Sequence, residues 1–146
     1  MRLTKLAKCA GLALALTVGA GVQAETFLRY GEGSPNRGSR AGAVQFFADE
    51  ASRLSDGDIT VDIIWGGALL KTTTAYDGVS DGVADLGSML VSYKPQELLP
   101  LTVGDIPVGT SDPWVGMRAM YEFVTTTPEI EEALAQQGVV YLSNFS

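Results

Sequence analysis

The chain has 146 residues, 46% of them hydrophobic and 18% charged, with a formal net charge of −7. Those figures suit a folded domain of ordinary size and exclude a disordered or collagen-like chain. There is no histidine and one cysteine, Cys9. A Ser-His-Asp or Cys-His nucleophile system, a cysteine-cluster zinc site and an intrachain disulfide are therefore all excluded.

Arg2, Lys5 and Lys8 form a basic start, followed by the apolar run Cys9 to Val22 and the small-residue site Val22-Gln23-Ala24. This pattern reads as a cleaved secretory signal over residues 1–24, too short to anchor in a bilayer. A lipidated Cys9 is disfavoured, because the apolar run follows the cysteine instead of leading up to it. Removing those three basic residues leaves 7 basic against 17 acidic residues, a net −10. Such a chain is expected to be exported to the periplasm. It is not expected to bind nucleic acid or to insert in a membrane after cleavage.

Thr26 to Tyr30 is a strand-forming run that ends in Gly31, and Glu32 to Gly38 (EGSPNRG) is turn chemistry. Ser39 is the expected N-cap of a helix with Ala43, Phe46, Phe47, Ala51 and Leu54 on its apolar face. Asp56-Gly57-Asp58 turns the chain into a second strand, Ile59 to Trp65, apolar enough to be a buried parallel strand. Gly66-Gly67 breaks it, and a second helix is predicted from about Thr72 to Val83. Ala84 to Met89 reads as a third strand, Ser92 to Pro100 as loop. Asp112-Pro113 opens a helix. Pro128 starts another, which ends at Gly138. Val139 to Leu142 reads as a last strand. Alternating strands and helices predict an α/β fold, a mostly parallel sheet with helices on both faces.

In an open parallel sheet, ligands bind beyond the carboxyl ends of the strands. Three loops leave such ends: Gly31 to Gly38, Gly66 to Thr73 and Met89 to Tyr93. Gly31-Glu32-Gly33 begins like a dinucleotide fingerprint, but Asn36 stands where the motif needs its third glycine, so a nucleotide site is not expected. Lys71-Thr72-Thr73-Thr74 places hydroxyls, backbone N–H groups and an ammonium at a helix start, a setting suited to a carboxylate or simply to a helix cap. Arg37 and Arg40 flank the first helix and read as solvated charges. Trp65 and Tyr93 could line an organic ligand or cap the sheet edge. Trp114 reads as core or rim packing. Asp77, Asp81 and Asp85 read as a solvated face and not as a metal cluster. No cofactor or metal is implied.

The run FFADEASRLSDGDITVDI resembles the opening of solute-binding proteins of TRAP (tripartite ATP-independent periplasmic) transporters, of the C4-dicarboxylate-binding type. GGALLKTTTAYDGVSDGVADLG is similar to their most recognisable stretch, Asp105-Ile106-Pro107-Val108 to a later step, and Gly138 to Leu142 to the strand leading toward their second lobe. The resemblance implies a periplasmic-binding-protein-like (type II) lobe. On that basis residues 25–138 are expected to form the first lobe, and 139–146 the start of a crossover to a second lobe not in this sequence, with the carboxylate-clamping arginine beyond Ser146. It implies capture of a small organic acid, a C4-dicarboxylate or related carboxylate, for delivery to TRAP membrane permease subunits, without bond chemistry. The first-lobe contacts are expected from Gly33, Ser34, Lys71, Thr72, Ser92 and Tyr93. The alternatives are a small secreted α/β enzyme and a non-catalytic interaction domain.

Overall fold

The computed structural model of the chain describes residues 25–106 and 112–144. The expected signal segment 1–24 and the Pro107-Val108 step lie outside them. The first strand, β1 (Thr26–Gly31), is followed by α1 (Gly38–Leu54) and β2 (Ile59–Ile64). A short 3₁₀ turn, Thr72–Thr74, leads into α2 (Ala75–Ser80), and β3 (Leu86–Gly87) follows. Two 3₁₀ segments, Val91–Tyr93 and Leu99–Asp105, precede α3 (Pro113–Thr125) and α4 (Pro128–Gln136).

The sheet is parallel, in the order β2-β1-β3. Its register sets Gly31 beside both Ile64 and Gly87. All three strands therefore end at one edge, and the loops that leave them share it. This is the α/β architecture expected from the sequence, with helices flanking a parallel sheet.

Several local expectations change. Helix α1 begins at Gly38, and Arg37 holds the N-cap position with no side-chain bond, so Ser39 is not the cap. The helix buries Ala41, Val44 and Ala48, while Phe46 and Leu54 are 65% and 72% exposed. The small residues of that stripe let the backbone lie close to the sheet. The larger stripe is turned aside, and from it Phe47 tilts against Tyr30 with ring centroids 6.4 Å apart. The second helix is much shorter than predicted: Gly82 adopts φ +73° and the chain turns there. Helix α3 starts as expected, with the Asp112 carboxylate accepting from Trp114 N–H at 2.9 Å, but Trp114 itself is exposed. Helix α4 closes through Gly138 (φ +76°), whose N–H reaches Ala135 O while Val139 N–H reaches Leu134 O, the paired-bond C-cap that favours glycine.

One tight piece of packing organises the sheet edge. Leu70 is 4% exposed. A Cβ at Gly31 would lie 2.6 Å from its Cγ, one at Gly78 2.2 Å from its Cδ2, and one at Gly87 3.4 Å from its Cδ1. Three glycines from β1, α2 and β3 thus form the socket for this one side chain. A second core, with Tyr76, Leu98, Leu101, Val124, Ile130, Leu134 and Val139 buried together, joins α2 to α3 and α4.

Val139 to Leu142 was expected as a strand and is not one. A strand needs a neighbouring edge to pair with, and among the described residues this segment pairs with none. Leu86 to Val91 and Val139 to Asn144 both line a cavity of about 1160 Å³. No helix among the described residues is long and apolar enough to cross a membrane.

Candidate functional site

The carboxyl edge of the sheet is built around the loop after β1. Glu32 N–H donates to Ile64 O at 3.0 Å, which carries the β1–β2 ladder one residue past the strands. Gly67 N–H then donates to Glu32 O and Gly66 N–H to Ser34 O, each at 3.0 Å. Gly66 and Gly67 both have positive φ, 69° and 75°, which explains why a Gly-Gly pair is needed where β2 turns back. The β1 and β2 loops are therefore stitched together by main-chain bonds.

Gly33 completes this closure. A Cβ there would stand 2.1 Å from Thr72 Oγ1 and 2.7 Å from Thr72 N. Only a glycine allows so close an approach. The structure thus brings three of the six predicted site residues, Gly33, Ser34 and Thr72, into one cluster. Lys71 is adjacent, with an exposed side chain whose stem passes the Gly67 backbone. Ser92 and Tyr93 stand exposed on the short 3₁₀ turn after β3.

Two features differ from the expected binding surface. The amides of Ser34, Gly66 and Gly67 are already donated within the protein, so they are not the ones that face a ligand. The segment at Thr72 is a three-residue 3₁₀ turn before a six-residue helix, which gives a weaker dipole than the long helix predicted.

Beneath the loops lies a buried polar network that the sequence reading missed. Glu32 is 1% exposed and Ser88 7%. The Ser88 hydroxyl donates to Glu32 Oε2 at 2.6 Å, the Ser34 amide donates to Oε1 at 2.8 Å, and Arg40 Nη2 lies 3.5 Å from Oε2. Tyr30 Oη is 2.6 Å from Ser88 Oγ. Burial by itself pushes the Glu32 carboxyl up, but the bonds from Ser88 and Ser34 and the charge of Arg40 outweigh it and hold it below the ordinary glutamate value. Burial pushes the Tyr30 phenol up, with Glu32 adding to the effect. Glu32 is thus an ionised carboxylate joining the β1 loop, the start of α1 and the end of β3. The signal in the sequence was a carboxylate directly after a buried strand end, read there as turn chemistry. Arg40, read as a solvated charge, is half-buried against it.

Two of the three spaced aspartates also prove structural. Asp85 accepts from Arg29 N–H at 2.8 Å and from Arg29 Nε at 3.3 Å, and its own N–H returns to Arg29 O at 3.0 Å. It pins the two-residue β3 to β1. Asp77 pairs with Lys94 at 2.8 Å, tying α2 to the loop after β3, and Lys94 also lies 5.8 Å from the Tyr76 ring centroid. Among the described residues, no group of three acidic, cysteine or histidine side chains is placed to hold a metal ion.

No family model and no curated relative matches the sequence. Solved structures do. A TRAP periplasmic solute-binding protein from Desulfovibrio salexigens superposes with a TM-score of 0.68 at 22% identity, over 75% of this chain and 34% of that one. DctP7 of Bordetella pertussis, an extracytoplasmic solute receptor binding pyroglutamic acid, gives 0.61 at 25% identity, over 79% and 37%. The sugar acid binding protein DctPAm from Advenella mimigardefordensis, solved with galactonate, gives 0.64 at 20% identity, over 82% and 38%. The chain therefore spans between a third and two-fifths of the length of these structures. Its fold is that of a lobe of the TRAP periplasmic solute-binding proteins, the family its sequence resembles.

Proposed function

We propose that this chain forms one wall of the ligand cleft of an extracytoplasmic, TRAP-type solute-binding protein. On this reading it captures a small organic acid, performs no bond chemistry, and delivers its ligand to membrane permease subunits. The observation that carries the proposal is the closure of the β1 and β2 loops on each other, Gly33 against Thr72, at the carboxyl edge of a sheet with this fold. Lys71, exposed beside that contact, supplies the cation, and Thr72 and Ser34 supply hydroxyls. Ser92 and Tyr93 on the third loop complete the wall. Residues 1–24 act as the cleaved export signal, 25–138 as lobe, and 139–146 as the start of a connection to a second lobe.

The ligand class is broader than the C4-dicarboxylates. DctP7 binds pyroglutamic acid, DctPAm was solved with galactonate, and a similar TRAP periplasmic solute-binding protein from a Sulfitobacter species was solved with β-D-galacturonate, each ligand a single carboxylate on a polar body. A charge-assisted bond contributes about 1.5–3 kcal/mol, so Lys71 provides on the order of tenfold or more in affinity.

The test is calorimetric titration of the exported protein with pyroglutamate, galacturonate, galactonate and succinate. Saturable binding of at least one acid is expected, reduced about tenfold by Lys71→Ala. Absence of saturable heat with every acid would refute the reading. Equal affinity in Lys71→Ala would remove Lys71 from the site. Mass spectrometry of the exported protein is expected to give Glu25 as the first residue.

A further inference from the structure

The buried Glu32 poses an electrostatic problem for an anion site, and the structure contains a solution to it. The carboxylate is one hydrogen bond, 2.8 Å, from the amide of Ser34, a residue of the cluster with Gly33 and Thr72. It is ionised and almost wholly buried. A negative charge there repels an arriving carboxylate through protein, where screening is weaker than in water. Ser88 and Ser34 donate hydrogen bonds to it but add no net charge. Arg40 is the cation in contact with it, 3.5 Å from Oε2, and the Arg40 side chain is 37% exposed against 1% for Glu32. The positive member of the pair therefore lies toward solvent and the negative member toward the interior.

We infer that Glu32 and Arg40 act as a charge-compensated positioning pair: Glu32 holds the three strand-end loops in register, and Arg40 cancels its charge so that the surface above can receive an anion. The inference rests on the anion-binding reading above. It places neither residue on the ligand. Glu32 acts through Ser34 and Ser88, which it orients directly, and through the main-chain bonds that its own N–H and C=O make to the β2 loop. Arg40 acts on the anion through its charge beside Glu32. Two unit charges several ångströms apart near a protein surface interact by a few kcal/mol before salt screening. Removing Arg40 alone should thus weaken anion binding on the order of tenfold at low ionic strength.

The test is titration of the exported full chain with pyroglutamate and galacturonate at about 10 mM and about 1 M salt, where charges are felt over roughly 30 Å and 3 Å respectively. Wild type is compared with Arg40→Met, Arg40→Lys, Glu32→Gln and the double variant Glu32→Gln/Arg40→Met. Arg40→Gln replaces Arg40→Met if the latter does not fold, as judged by circular dichroism. The expected pattern is a tenfold loss in Arg40→Met at low salt, largely erased at high salt, with near wild-type binding in Arg40→Lys. The double variant should bind better than Arg40→Met at low salt, because the uncompensated charge is gone while the glutamine oxygen still accepts the Ser34 amide. A purely structural role for Arg40 predicts a loss that salt does not change and that the double variant deepens. Either of those results, or unchanged binding in Arg40→Met, overturns the inference. If wild type binds neither acid, the anion-site reading fails and the inference falls with it, an outcome distinct from the others because no variant is then involved.

Discussion

The glycine socket around Leu70 makes a prediction in which one substitution changes sign with its background. Leu70→Ala removes Cγ and both Cδ atoms from a site that is 4% exposed. Its walls at Gly31, Gly78 and Gly87 are glycine backbone, with no side chains there to relax into the void. A cost toward the upper part of the usual range for such truncations, about 3–5 kcal/mol, is expected. Gly78→Ala in the wild-type background places a Cβ 2.2 Å from Leu70 Cδ2. Overpacking of that kind costs about 1–3 kcal/mol, reduced by the roughly 1 kcal/mol that alanine gains over glycine within a helix. In the Leu70→Ala background all three nearest atoms, Cδ2 at 2.2 Å, Cγ at 3.4 Å and Cδ1 at 3.5 Å, are absent. Gly78→Ala should then stabilise by roughly 0.5–1 kcal/mol. The pair is thus predicted to couple by about 2 kcal/mol, within the span measured for contacting residues. Urea unfolding of wild type, both single variants and the double variant, followed by circular dichroism, measures this cycle. Additive effects, or a destabilising Gly78→Ala in the Leu70→Ala background, would show that the socket is not what sets these glycines.

Three further outcomes follow from the same geometry. The Glu32 carboxyl is held below its ordinary value of 4.5, so its contribution to stability is complete above that pH and disappears as pH falls through the folded-state value; Glu32→Gln should flatten this acidic limb in unfolding curves measured from pH 7 to pH 2, and should cost about 1.5–3 kcal/mol at pH 7, where Ser34 and Ser88 lose their hydrogen bonds to a charged acceptor. Asp112→Ala removes the cap of α3 and should cost about 1 kcal/mol in urea unfolding, with Asp112→Ser largely neutral. Asp85→Ala should raise amide exchange at Leu86 and Gly87 while leaving α3 and α4 protected, because the Arg29–Asp85 contacts reinforce a β1–β3 ladder of only two residue pairs; uniform exchange across the chain would refute that role.

Much of the architecture is written in local chemistry. Alternating strand and helix patterns, the Gly-Gly break after β2, Asp112-Pro113 at the start of α3 and Gly138 after α4 each act within a few residues, so they are legible from sequence order alone. The parallel sheet follows from the same alternation, and with it the common edge from which three loops emerge. What tertiary structure decided depends on partners far apart in the chain. Which stripe of α1 faces the sheet was settled by how closely Ala41, Val44 and Ala48 let the backbone approach, a property of both surfaces. Val139 to Leu142 has strand composition but pairs with no strand among the described residues, and a strand is a relation between two segments. Gly33 is a turn residue in sequence and a close contact with Thr72 in space. Glu32 is an ordinary loop carboxylate until Ser88, 56 positions later, donates a hydrogen bond to it. Burial of a charge is decided by the whole fold, because only assembled neighbours can supply the bonds and the opposite charge that make it tolerable.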